Sequence, residues 1–428
     1  MAIRKPLFIK PLALGTIATG NETAGYPAAN IGRHKSIGLT WKSTGASNVW
    51  ARGQMAASAS IDFCALVSAN ALSGTKYRLR LGASQAAVDG GSVDIASAAN
   101  VTVASKEGGW WTVTKSGGVN GTYDAAAVSA TGFAGNFVLA IKPAQITGLA
   151  YIGMNADPNT NNSNSGIDYA FALNGTTAQA NNNGTGGSST TISASSYLFL
   201  VRIGTSLTLR YGTSEDYTAA TTLQTYTTSA TLYFDSSIST ASNAYDVRLY
   251  DQTNVPTYDS GQQTFISPAI TRSDGLYHSH LEMNAAATAT WWRIDIIGHT
   301  GDFQVSNLVL GREIEPSRFF NFDWEYGIED LGGGDFNRFG VFDEEPGIVL
   351  RTIAFTLAWQ TEAEFEDSFR PMIEAVGKRG LIYLVFDPEA TTYRQARTFM
   401  GVFGKPPFAR GVRKPRTFSQ DYMLRSYI

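Results

Sequence analysis

A mainly β protein, built from sandwiches and carrying one amphipathic helix near its C-terminal end, is what this 428-residue sequence predicts. Three observations predict it. Glycine fills 43 positions and Ser, Thr and Asn are abundant, as turns require. Runs that alternate polar and apolar residues recur along the whole chain. Helical spacing, by contrast, is confined to one stretch after Thr361.

Taken in order, residues 76–81 (Lys76-Tyr-Arg-Leu-Arg-Leu81) alternate cleanly, as do residues 245–250 and 292–297. Each reads as a half-buried strand of a sandwich. Between them the charge density falls, and two tracts, residues 155–166 and 181–190, are so rich in Asn, Ser, Thr and Gly that they read as loops. Residues 167–173, 197–203 and 207–211 read as strands, the last two joined as a hairpin through Gly204-Thr-Ser206. The echo between Tyr77–Leu81 and Val247–Tyr250 suggests one discontinuous sandwich, residues 1–83 with 244–314, into which residues 84–243 are threaded at a loop tip.

The final part, residues 315–428, is denser in charge. From Gly311 onward 33 of 118 positions are Lys, Arg, Asp or Glu, against 36 of the preceding 310. Residues 351–359 put Ile353, Phe355, Leu357 and Trp359 on one face of a strand. Thr361-Glu-Ala-Glu364 is a capping box. Phe365, Phe369, Met372, Ile373 and Val376 follow at helical spacing, with Pro371 as a kink or a break and Lys378-Arg379-Gly380 as the stop. Residues 381–386, 398–403 and 417–427 complete a β-rich domain that the helix covers on one side.

Composition also bounds function. A formal net charge of −3 supplies no electrostatic footprint for nucleic acid. The single cysteine, Cys64, sits in an apolar run, so neither a disulfide framework nor a cysteine metal cluster is expected. Residues 1–10 lack the apolar stretch of a signal peptide, and no window of 18 apolar residues occurs, so folding in a cytoplasm without membrane insertion is expected.

Candidate sites were weighed by chemistry. Paired carboxylates would seed a glycosidase, but Asp343-Glu344-Glu345 precedes a Pro-Gly turn, and Glu362, Glu364, Glu366 and Asp367 occupy the first turns of a helix. No catalytic residue is therefore assigned. His278 and His280 read as a sandwich edge rather than a metal pair, and Asp157, Asn159, Asn161 and Asp168 lack the spacing of a defined calcium loop, so no metal or other cofactor is expected. Sugar recognition asks for aromatic faces beside amide and hydroxyl groups, which points to Trp110, Trp111, Tyr169 and Tyr211. Adjacent tryptophans on a strand face opposite ways, so one of Trp110 and Trp111 should look outward; Trp291-Trp292 repeats the pattern. Arg410, Arg413, Lys414 and Arg416, set against Glu344 and Glu345, suit contacts between subunits better than contacts with nucleic acid.

Residues 308–318 (Leu-Val-Leu-Gly-Arg-Glu-Ile-Glu-Pro-Ser-Arg), 322–331, Glu345-Pro-Gly, 386–392 and 409–416 resemble tail-tip proteins of long-tailed bacteriophages, of the distal-tail or baseplate-hub type. Residues 24–31 with Thr40-Trp-Lys-Ser43 resemble the discoidin-like jelly roll that precedes this module in many such proteins, and residues 84–243 resemble a laminin-G or concanavalin-like lectin sandwich. The resemblance implies a non-enzymatic virion component at the tail tip, assembled in the host cytoplasm. It also implies a homo-oligomeric ring, with a hexamer favoured, partnered by tail tube, hub and fibre proteins, its peripheral sandwiches either decorating the tip, touching a host-surface glycan or docking other tail proteins. The competing readings are a carbohydrate-active enzyme and a free lectin or adhesin.

Overall fold

The computed structural model describes residues 4–428 except 37, 48, 91–92, 107–108, 146–147, 159–165, 242–243, 253, 267–269, 271, 337, 390–392 and 412–414. The chain is mainly β and divides into two compact units: Met1–Tyr77 with Thr264–Ile428, and Arg78–Gln263.

The Arg78–Gln263 unit is a sandwich of two seven-stranded antiparallel sheets. One runs Thr221–Thr227, Ser206–Gly212, Tyr197–Ile203, Phe137–Gln145, Ala244–Tyr250, Trp111–Lys115, Val101–Ser105. The other runs Thr185–Thr191, Thr177–Asn182, Tyr169–Asn174, Leu149–Asn155, Tyr233–Ile238, Ala126–Ser129, Ile95–Ala99. Alternation decides the faces: Phe137, Leu139 and Ile141 enter the core with Leu198, Leu200, Val247 and Leu249, and meet Ile152, Met154, Phe171 and Phe234 of the facing sheet. Arg78 and Asp259 are buried together, Nε and Nη2 donating to the two carboxylate oxygens at 2.8 and 2.7 Å, while Nη1 reaches Asp94 at 2.6 Å. Burial alone would raise the Asp259 carboxyl; the guanidinium more than offsets it and holds the group below the usual carboxylate range.

Three elements of this unit differ from the sequence reading. Ala244–Tyr250 pairs with Phe137–Gln145 and Trp111–Lys115, inside the sandwich it was expected to flank. Its echo with residues 77–81 reflects a shared period of two, which specifies a buried face and not a partner strand. The tract 181–190 is a hairpin, Thr177–Asn182 against Thr185–Thr191, turned by Asn183 and Gly184 at φ of 46° and 80°. The hairpin at 203–206 is tighter than read, Ile203 pairing directly with Ser206.

In the other unit the 20-residue strand Trp50–Ala69 and the 21-residue strand Tyr277–Ile297 run antiparallel through three register shifts. Such bulges bend strands. The first part of Trp50–Ala69 pairs with Thr16–Thr19, and the last part with Gln304–Gly311, which in turn pairs with Trp41–Lys42. Trp41, Trp292 and Phe303 are fully buried here, the Trp292 indole donating to the Leu14 carbonyl at 3.0 Å.

The C-terminal sheet runs Glu313–Ile314, Leu7–Ile9, Ile382–Val385, Thr398–Lys405, Thr417–Ser426, Val349–Thr361, Glu325–Asp330. Leu7–Ile9 thus belongs to this sheet and not, as the 1–83 boundary had it, to the sandwich. Its three residues serve both faces of the sheet. Phe8 packs with Phe355, Phe369 and Tyr422, whereas Leu7 and Ile9 join Phe63, Ala65 and Val309 on the opposite face. The helix caps the first of these faces with Phe369, Met372 and Val376. It starts at Thr361, whose hydroxyl accepts the Glu364 N–H at 3.2 Å, widens over Phe365–Phe369 and resumes at Arg370–Val376, with Pro371 tolerated in the new first turn. Thr361→Ala should cost about 1 kcal/mol, read as a lower guanidinium midpoint with an unchanged slope.

Candidate functional site

The four aromatic residues expected to form a sugar site are not brought together. Trp111 is 5% exposed, inside the core of the Arg78–Gln263 sandwich. Tyr169 and Tyr211 flank that same core from different sheets, Tyr169 against Tyr226 at 5.4 Å between ring centroids. Trp110 alone faces the other way, as the alternation of adjacent strand residues requires.

There it joins a second, outward cluster on the back of the Phe137–Gln145 sheet, with Tyr197, Phe199, Tyr217 and Tyr250. The Trp110 indole donates to Glu215 at 3.1 Å, and Gln252 donates to the Tyr217 hydroxyl at 2.6 Å. Lys142 lies over the Tyr197 ring at 5.3 Å and Arg248 over Tyr250 at 4.7 Å. Aromatic faces ringed by amide, carboxylate and cationic groups can hold a saccharide's apolar face and its hydroxyls. Sequence reasoning found only Trp110 of this set. Tyr197 and Tyr250 end strands whose inner faces are equally apolar, and Tyr217 lies in a loop whose fold over the sheet no periodicity encodes.

Of the residues weighed for calcium, Asp168 is tied to the backbone. Asp168 accepts the Ala156 N–H at 2.9 Å, and Asn155 donates to the buried Asp235 at 2.9 Å; Asn159 and Asn161 lie outside the described residues. Burial, with Asp157 and Asp168 adding repulsion, pushes the Asp235 carboxyl up to about 6 from 3.8. A carboxyl that titrates higher in the folded chain binds its proton more tightly when folded. Stability therefore falls as pH rises from about 4 to about 6, and the loss persists above that. Asp235→Asn should make the protein about 1–2 kcal/mol more stable at pH 8 and flatten that slope, measured by thermal denaturation across pH.

His278 is buried and His280 half-buried, not at a surface edge. Burial pushes His278 down to about 3, its Nδ1 accepts the Ser68 N–H at 3.0 Å, and His280 stacks on Phe63 at 5.5 Å. Burial also lowers the half-buried His280, against the opposing pull of Glu282 at 3.4 Å. Among the described residues no cluster of three or more His, Cys, Asp or Glu side chains is placed to hold a metal ion.

The charged residues assigned to subunit contact fall on two surfaces. Arg410 pairs with Asp421 at 3.3 Å and lies over Phe408, and Arg416 pairs with Glu362 at 3.4 Å. Arg413 and Lys414 lie outside the described residues. Glu344 and Glu345 stand in Phe342–Glu345, which pairs only with Gly333–Phe336 in a separate two-stranded sheet whose residues are all exposed. This hairpin extends from Glu325–Asp330, the edge strand of the C-terminal sheet. At its neck the backbones touch: a Cβ on Gly347 would lie 1.9 Å from the Gly332 nitrogen, so only glycine fits.

Between Phe319 and Val349 stand 12 of the 22 large hydrophobic residues exposed among the described residues, among them Phe322, Ile328, Phe336, Phe339 and Phe342. The same stretch holds eight acids and one arginine. Exposed apolar side chains gathered on a sheet edge are the kind of surface that association sites present.

No protein-family model matches the chain, and no curated protein matches its sequence. Among solved structures, the VIP36 exoplasmic/lumenal domain in its Ca2+/Man2-bound form is 12% identical over 37% of this chain and 80% of that one, at a TM-score of 0.27. A truncated AlyQ with CBM32 and alginate lyase domains is 11% identical over 61% and 100%, at 0.23. A β-glucanase of Bacillus licheniformis is 12% identical over 58% and 98%, at 0.19. Likeness at this level carries no argument, and the β architecture rests on the strand pairing of this chain itself.

Proposed function

We propose that this chain is a non-enzymatic structural subunit of the tail tip of a long-tailed bacteriophage, of the distal-tail or baseplate-hub type. Its C-terminal domain self-associates into a ring, with six copies favoured by the resemblance of residues 308–318, 322–331, 386–392 and 409–416. The exposed arm between Phe319 and Val349 carries this reading: it leaves aromatic side chains and acids in water that only a partner surface would cover. The acids that could act as a catalytic pair are spent on that arm and on the first helical turns, which favours assembly over glycoside hydrolysis.

The Arg78–Gln263 sandwich is then a peripheral module for a host-surface glycan or another tail protein. The Trp110, Tyr197 and Tyr217 face is its recognition surface, and repetition around a ring raises effective affinity without any tight single site. That face also favours a second reading, a free lectin or adhesin. Antibodies to the Arg78–Gln263 unit separate the two in electron micrographs: label at one end of tailed particles is expected, and label on cell surfaces alone would favour the adhesin.

A further inference from the structure

The arm needs a receiving surface, and one lies at the far end of its own sheet. A pocket of about 410 Å³ is lined by Lys10, Arg33 and Lys35, with Pro11, Ala13 and Leu381 among its apolar walls; no carboxylate lines it. All three cationic residues are exposed, and none forms an ion pair with a described residue. The adjoining hollow shares Lys10 but sets Arg312 against Glu313 and Asp367, so it lacks this excess of one sign.

Position matters as much as charge. Lys10 directly follows Leu7–Ile9 and Leu381 directly precedes Ile382–Val385, the second and third strands of the sheet, while the arm leaves from Glu325–Asp330, the seventh. Five strand spacings of about 4.8 Å place the two features about 24 Å apart along the sheet. A donor at one edge and a complementary acceptor at the other is what a heterologous, ring-closing contact requires.

We propose, building on the assembly reading above, that the arm of one copy seats in the Lys10, Arg33 and Lys35 pocket of the next. Asp335, Glu344 and Glu345 face the three cations, and the arm's aromatic side chains cover the apolar walls. The contact is both hydrophobic and charge-selective, so copies add head to tail and never arm to arm.

The test is sedimentation velocity of the full chain with two charge reversals. Lys10→Glu with Arg33→Glu and Lys35→Glu, and separately Asp335→Lys with Glu344→Lys and Glu345→Lys, should each weaken association at least about tenfold. The two sets combined in one chain should restore it. If only the arm reversal dissociates the protein, the pocket is the wrong acceptor although assembly through the arm stands. If neither reversal changes the mass, or the parent chain never associates, the pocket proposal falls, and in the second case so does the assembly reading. A disulfide between Lys35→Cys and Glu344→Cys, placed in one chain and oxidised, gives a readout independent of the reversals. A ladder of linked copies is expected, and monomer alone would overturn the contact.

Discussion

On the proposed assembly, replacing Ile328, Phe336 and Phe342 with serine should release single chains of 46.0 kDa while leaving the fold intact. All three side chains are exposed in the isolated chain, at 72, 66 and 52%, so no core loses volume. Burying such a side chain against a partner is worth about 1.5–3 kcal/mol, and three together should weaken association by about a thousandfold or more. The measurement is mass by light scattering, with circular dichroism as the fold control. An unchanged mass would remove the arm from the interface.

The second large effect lies in the Arg78–Gln263 unit. Asp259→Ala should cost about 3–5 kcal/mol, because it takes from the buried Arg78 guanidinium its equally buried carboxylate partner, while the ion pair to Asp94 is with an exposed side chain. The double replacement Arg78→Met with Asp259→Leu should recover most of that loss, since a well-packed apolar pair avoids desolvating two charges. Hydrogen exchange over residues 78–263 reads both variants. The Asp259 carboxyl is held below its ordinary 3.8, so its contribution is complete above about pH 4 and is lost as pH falls through the folded value. Equal protection in the single and double variants would show that the pair is not what holds the unit.

These effects trace back to what residues can and cannot announce. Residues 351–357 were legible because Ile353, Phe355 and Leu357 all enter one core, whereas Trp359, read on the same face, is exposed at φ 63° where the register shifts; the helix was legible because Thr361 accepts the Glu364 N–H as its cap. Leu7–Ile9 was not: three residues carry no period, and their partners lie more than 300 positions away. Ala244–Tyr250 showed its buried face but not its neighbour, since alternation is blind to pairing. Asn181–Thr190 read as a loop because its residues pack little, yet the Asn183-Gly184 turn folds it into a hairpin edge.

The candidate sites follow the same rule. Glu344 and Glu345 were legible as exposed acids because charge is visible in composition. The exposure of Tyr326 and Ile328 was hidden, because alternation does not say whether a strand is an edge. Trp110 was separable from Trp111 by strand alternation, but the partners it gathers come from loops and strands far along the chain.

Sedimentation velocity of the unmodified chain, from about 1 to about 100 μM, tests the assembly directly. A single closed species, six copies of 46.0 kDa, is expected, its size fixed once formed because the head-to-tail contacts are all used. A 46.0 kDa species across the whole range would contradict the account.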